Sequence, residues 1–197
     1  MNSIQKIGKM QDSITTGLVG GFIGTVFMDI SNTLLYKSRK TEGLYGHIAG
    51  QMFVAPFRTK QRKNFILGEI LHLAGGSIFG IPLFYILKKT GKDHYMSKGL
   101  VSSIITWGVL YAGGQKVGLF KKPLFTKTLY SEMFNHLIYG IVSSKAMVTL
   151  ADPIVFESSN QTNKQSVFEG TQSHFDSNFV GSINNINEQF QQPHLEH

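Results

Sequence analysis

Apolar residues collect along this chain in four long runs, each bracketed by cations or turn residues. The first covers 14–36 and is closed by Lys37, Arg39 and Lys40. The second covers 65–87, between Arg62-Lys63 and Lys88-Lys89. The third is the shortest, about 97–114, and runs through Trp107 and Tyr111 to Gly113-Gly114. The fourth covers 129–150, from Lys127 to Asp152-Pro153. A hydrocarbon core about 30 Å thick is crossed by roughly 20 mostly apolar residues in helical form. The pattern therefore predicts an all-α fold, a polytopic bundle of four transmembrane helices. The connection 37–64 is long, and its mixed stretch 44–57 reads as an interfacial segment.

Charge divides the chain in two. Residues 1–150 hold 18 of the 19 Lys and Arg and six acids, a formal charge of +12; residues 151–197 hold one Lys and six acids, a charge of −5. The second part is rich in Asn, Gln and Ser, and its phenylalanines stand isolated. It has too little apolar surface to offset the entropy of ordering, so 151–197 is expected to be a disordered acidic tail. The first part places its cations in short loops, as multi-pass membrane proteins do, which argues against nucleic acid as a partner. The loops 37–64 and 113–128 carry eleven Lys and Arg, against seven on the N-terminus, the 88–98 loop and the tail. This places both loops on the cytoplasmic side and both termini outside. No cleavable signal peptide is expected. With no cysteine, thiolate metal sites and a Cys nucleophile are excluded.

Residues four apart share a helix face. The first run reads Gly17, Gly21, Thr25, Asp29; the second Gly68, His72, Gly76, Gly80; the fourth Glu132, His136, Gly140, Ser144. Such small-residue stripes are where membrane helices approach closely, so Gly17, Gly21, Gly76, Gly80 and Gly140 are the expected packing positions. The ionisable groups on the same stripes then face other helices. At 1.5 Å per residue, Asp29, His72 and His136 lie about 10 Å inside one membrane face, with Asn32, Glu69 and Glu132 roughly 4–6 Å deep. Six polar residues from three helices form one intramembrane layer.

Three readings of this layer stand open. It is polar glue that sets helix register, or a proton or ion pathway, for which intramembrane Asp, Glu and His are the usual parts. Or it is a metal site: Glu69-x-x-His72 places two ligands on one helix face, as in di-iron bundles. Glu132 and His136 would complete a set suited to Fe, Mn or Zn, or the two histidines would hold a haem. Short matches also suggest a duplicated hairpin. Gly17-Leu18-Val19 parallels Gly99-Leu100-Val101, and His72-Leu73-x-x-x-Gly76 parallels His136-Leu137-x-x-x-Gly140.

The stretch Gly91-Lys92-Asp93-His94-Tyr95, then Lys98-Gly99, Trp107, Tyr111-Ala112-Gly113 and His136-Leu137-Ile138-Tyr139-Gly140, resembles small uncharacterised membrane proteins of Gram-positive bacteria. The resemblance covers about residues 10–150 and stops before the tail. It implies a multi-pass protein of the bacterial inner membrane and brings no catalytic residues. The expected function is a non-catalytic scaffold or transport-related component whose partners are the lipid bilayer and another copy or membrane protein. The alternatives are a metal- or haem-binding enzyme or redox carrier, and a proton-coupled transporter or oligomeric channel. No resident cofactor is expected under the first reading.

Overall fold

Helices occupy all four apolar runs and extend beyond most of their ends. The computed structural model describes residues 9–118 and 124–156. Its long helices are α1 (Ser13–Lys37), α3 (Arg62–Thr90), α4 (Tyr95–Lys116) and α5 (Thr126–Leu150), with a short α2 (Tyr45–Gly50) and a 3-10 turn (Pro56–Arg58) between α1 and α3. An apolar run marks burial, whereas a helix continues through charged residues such as Arg62 and Lys88 that keep helical backbone angles. α1 begins at Asp12, whose carboxylate accepts the Thr15 N–H at 2.6 Å. The Thr15 hydroxyl and then this N–H hold the Asp12 carboxyl below its ordinary pKa. α3 ends at Gly91, whose φ of 83° suits glycine. The Lys98 ammonium donates to the carbonyls of Thr90 and Gly91 there.

The helices pack in the order α3, α1, α5, α4, and α3 meets α4 only marginally. Glycines make each close approach. A Cβ on Gly21 would lie 2.6 Å from the Gly76 carbonyl and 2.9 Å from the Gly80 Cα; one on Gly17 would lie 2.7 Å from the Ile81 Cα. Gly140 meets the Gly99 carbonyl and the Ser103 hydroxyl across the α5–α4 seam. Between α1 and α5 a second stripe is in contact, with Gly20 and Gly24 against Met147, Ser143 and the Tyr139 carbonyl.

The two hairpins correspond position by position. An offset of 82 residues carries α1 onto α4, and an offset of 64 carries α3 onto α5. Under these offsets the Gly21–Gly76 contact becomes Ser103–Gly140, and Gly17–Gly80 becomes Gly99–Ser144; all four contacts are present. The correspondence fails on the outer faces. Gly20 and Gly24 of α1, which admit α5, correspond to Ser102 and Thr106 of α4. Ser143 and Met147 of α5 correspond to Phe79 and Leu83 of α3. Larger residues on both sides keep α3 and α4 from closing as α1 and α5 do.

One boundary differs from the sequence reading. The tail was expected from residue 151, but Ala151, Val155 and Phe156 are buried with Leu83, Phe84, Leu87 and Met147. Met10 also pairs with this segment, its N–H donating to the Leu150 carbonyl and its carbonyl accepting the Asp152 N–H. The helical unit thus ends at Phe156. The polar composition after Pro153 hid three residues that complete an apolar end cluster. The rest of the expected tail lies outside the described residues. α1 and α3 are long and apolar enough to cross a membrane. α4 and α5 have 22 and 25 residues but interleave Ser, Thr, Asn and charged side chains with their apolar ones.

Candidate functional site

The splayed pair α3 and α4 leaves a cleft of about 1260 Å³. The apolar cluster of Leu83, Phe84, Leu87 and Phe156 seals the end where α3 turns into α4. The cleft reaches from α3 and α4 to the 42–60 segment. Ile78 and Phe79 of α3 and Trp107 and Leu110 of α4 form its walls; Thr25 and Met28 of α1 and Glu132, His136 and Tyr139 of α5 form its floor. The lining is mainly apolar, with polar groups gathered toward one end.

At that end the chain between α1 and α3 folds inward. The stretch 44–57 was read as interfacial, yet Tyr45 is only 7% exposed. Glycines again permit the approach, since the Gly46 carbonyl sits where a Gly68 side chain would be. Asn32, buried in α1, holds the segment from the other side: its carbonyl accepts the Tyr45 N–H at 3.2 Å and its amide donates to Gly43 at 3.4 Å. The Tyr45 ring stacks on His72 with centroids 4.4 Å apart and meets His136 edge-on at 6.5 Å. Burial pushes the Tyr45 hydroxyl well above its ordinary pKa, while the neighbouring Asn135 amide opposes that shift.

The six polar residues of the layer divide into pairs and ties. Asp29 Oδ1 and His72 Nε2 lie 3.1 Å apart, a close ionic contact without the alignment of a hydrogen bond. Glu69 faces the Gly46 backbone, 2.8 Å from where a Cβ would stand. His136 Nδ1 lies 2.9 Å from the Glu132 carbonyl, which requires a proton on Nδ1 and leaves Nε2 as the free ring nitrogen. Glu132 is buried in the cleft floor. Tyr45 stands against both histidines. Among the described residues no three His, Asp or Glu side chains gather around a point that a metal ion would occupy.

Three participants carried weak sequence signals. Tyr45 sits in a mixed loop, although Gly46-x-x-x-Gly50 repeats the small-residue spacing of the spans. Asn135, fully buried, accepts the Ser31 hydroxyl at 2.7 Å. It belongs to the stripe Ser131, Asn135, Tyr139, Ser143, one position away from the stripe read first. Trp107 lines the cleft beside Tyr111, and its indole N–H is buried without a partner among the described residues.

The sequence pattern of DUF6789, a family of unknown function, matches residues 11–156. The chain belongs to this family. The match covers α1 to α5 and the Val155-Phe156 end of the core, so the cleft lies wholly within the DUF6789 region. No curated protein and no solved structure matches the chain.

Proposed function

We propose that this DUF6789 protein is a four-span integral membrane protein, a transport-related or scaffolding component that performs no covalent chemistry and holds a ligand-sized cleft between its spans. The observation that carries this reading is the reversal of inside and outside in α1 and α5, with large apolar side chains exposed along all four long helices. The buried residues of α1 are Ser, Thr, Gly, Met and Asn, and those of α5 are Thr, Ser, Glu, Asn, Tyr, Gly and Met. The exposed ones include Phe22, Phe27 and Ile30 of α1, Ile66, Ile70 and Ile78 of α3, Val101, Ile105 and Val109 of α4, and Phe134 of α5. Water drives apolar side chains inward, whereas lipid does not, and close packing through small residues is how helices associate in lipid. α4 and α5 are longer than the roughly 20 residues a span requires, and Ser103 of α4 and Thr128, Ser131, Glu132, Asn135, Ser143 and Ser144 of α5 are buried in the bundle, while Lys145 and Thr149 stay exposed. The excess of cations on the 37–64 and 113–128 loops supports a cytoplasmic placement of both.

Because the chain has no cysteine, single cysteines can be introduced one at a time without a background. A membrane-impermeant maleimide applied to right-side-out cells is expected to label Lys92→Cys and to spare Arg39→Cys until the membrane is opened. Phe22→Cys, Ile105→Cys and Phe134→Cys are expected to resist labelling throughout. Rapid labelling of the α4 and α5 positions in intact membranes would sink the four-span reading and leave α1 and α3 as its only spans.

The Asp29–His72 contact favours a second reading, proton-coupled transport, because a carboxylate and an imidazole held together inside a bundle are the parts of a relay. Proteoliposomes that show no pH-gradient-driven flux above that of the Asp29→Asn variant would remove it.

A further inference from the structure

We propose, building on the four-span reading, that the cleft binds an uncharged amphiphile from the surrounding bilayer, of the diacylglycerol type, with its hydroxyl and carbonyl head at the polar end and its hydrocarbon chains between α3 and α4.

Size and access come first. At about 1260 Å³ the cleft exceeds the ~300–1,000 Å³ of sites for drug-sized ligands. Ile78, Phe79 and Leu110 line it and are exposed, so the cleft is open between α3 and α4, where lipid chains would lie. Gly75 adds to its width, because nothing stands within 4 Å of where its Cβ would be.

The polar end selects the head. The Thr128 hydroxyl and the Trp107 indole N–H line the cleft and have no partner among the described residues; Thr128 is only 2% exposed. Unpaired buried polar groups are costly, and a ligand carrying hydroxyl and carbonyl oxygens would satisfy both. Glu132 offers an acceptor on the same floor. Charge then narrows the class. Asp29 and Glu69 stand beside His72, Glu42 and Glu132 line the cleft, and among the described residues the lining Lys or Arg is Lys60, an exposed side chain of the 51–61 loop. An anionic phosphate head would meet carboxylates in a low-dielectric site, a repulsion that an uncharged head avoids.

The chain has a single tryptophan, and it stands in the cleft, so its emission reports on the site directly. The full chain, in phosphatidylcholine nanodiscs, would be titrated with diacylglycerol or phosphatidic acid bearing the same brominated acyl chains, which quench indole at short range. Brominated phosphatidylcholine measures the effect of bulk lipid. Diacylglycerol is expected to quench Trp107 saturably and beyond the bulk level, and phosphatidic acid to stay at that level. Gly75→Leu, which adds bulk to the cleft lining at a position where a Cβ meets nothing within 4 Å, is expected to return diacylglycerol to the bulk level while the protein stays folded. Thr128→Val is expected to raise the half-saturating mole fraction about two- to tenfold through one lost hydrogen bond. Preferential quenching by phosphatidic acid, or quenching by diacylglycerol that never exceeds bulk, overturns the proposal. If brominated phosphatidylcholine itself leaves Trp107 unquenched, α4 is not in lipid and the four-span reading fails first.

Discussion

The Tyr139 hydroxyl of α5 donates a 2.7 Å hydrogen bond to the Gly76 carbonyl of α3, tying together two helices that otherwise touch little. Gly76 itself presses on the Thr25 side chain of α1, so the bond spans three helices at the floor of the cleft. Tyr139→Phe keeps the ring and removes the tie. It is expected to lower stability by about 0.5–1.5 kcal/mol, measured by unfolding in mixed dodecyl sulfate micelles.

The glycines are not equivalent, and substitutions separate them. Gly21→Leu forces a side chain onto the Gly76 carbonyl and the Gly80 Cα, backbone atoms that cannot swing away. A loss of about 1–3 kcal/mol or more is expected. Gly75→Ala meets nothing within 4 Å and is expected to be neutral or to stabilise α3 by up to about 1 kcal/mol. Equal effects of the two in the same unfolding assay would show that the seam is not where the helices meet.

Tyr45 makes stability fall at high pH. Its folded-state pKa is raised by burial above the unfolded value near 10.0. The unfolded chain therefore loses the phenolic proton first, and the contribution is full below pH 10 and declines as pH rises beyond it. Thermal unfolding from pH 8 to 11 is expected to show this decline, and Tyr45→Phe to flatten it while keeping the stack on His72. Tyr45→Ala, which removes a buried aromatic ring, is expected to cost about 3–5 kcal/mol at neutral pH.

Phe156 is part of the helical unit. It packs edge-on against Phe84 at 5.8 Å and is 4% exposed. Phe156→Ala in the full chain is expected to cost about 3–5 kcal/mol. An unchanged melting temperature would return residues 151–156 to the tail.

Metal content tests the remaining alternative. With the Tyr45 ring packed against both His72 and His136, elemental analysis of the purified protein is expected to find iron, manganese and zinc below stoichiometric amounts. A near-stoichiometric metal or a haem absorption band that disappears in the His72→Ala/His136→Ala double variant would reverse this.

Local pattern made the long helices legible. Their apolar runs, the cations around them and the Gly17, Gly21, Gly76, Gly80 stripe are all properties of residues within a few turns of one another. The pairing of the polar layer was only partly legible. Depth arithmetic places Asp29 and His72 at one level but does not indicate which of their neighbours they meet, because rotation about each helix axis is set by the partner helix.

By itself, then, the sequence determined four helices, the small-residue faces on which they pack and the helix positions that carry the carboxylates and imidazoles. The tertiary structure alone decided that Tyr45 packs against His72 and His136, that residues 151–156 close the core, and that α3 and α4 stand apart. Each depends on contacts between residues distant in the chain: Gly46 against Gly68, Phe84 against Phe156, and Ser102 and Thr106 standing where α1 has Gly20 and Gly24. Side-chain volume at such a contact sets how closely two helices approach, and that becomes visible only when the facing residue is known.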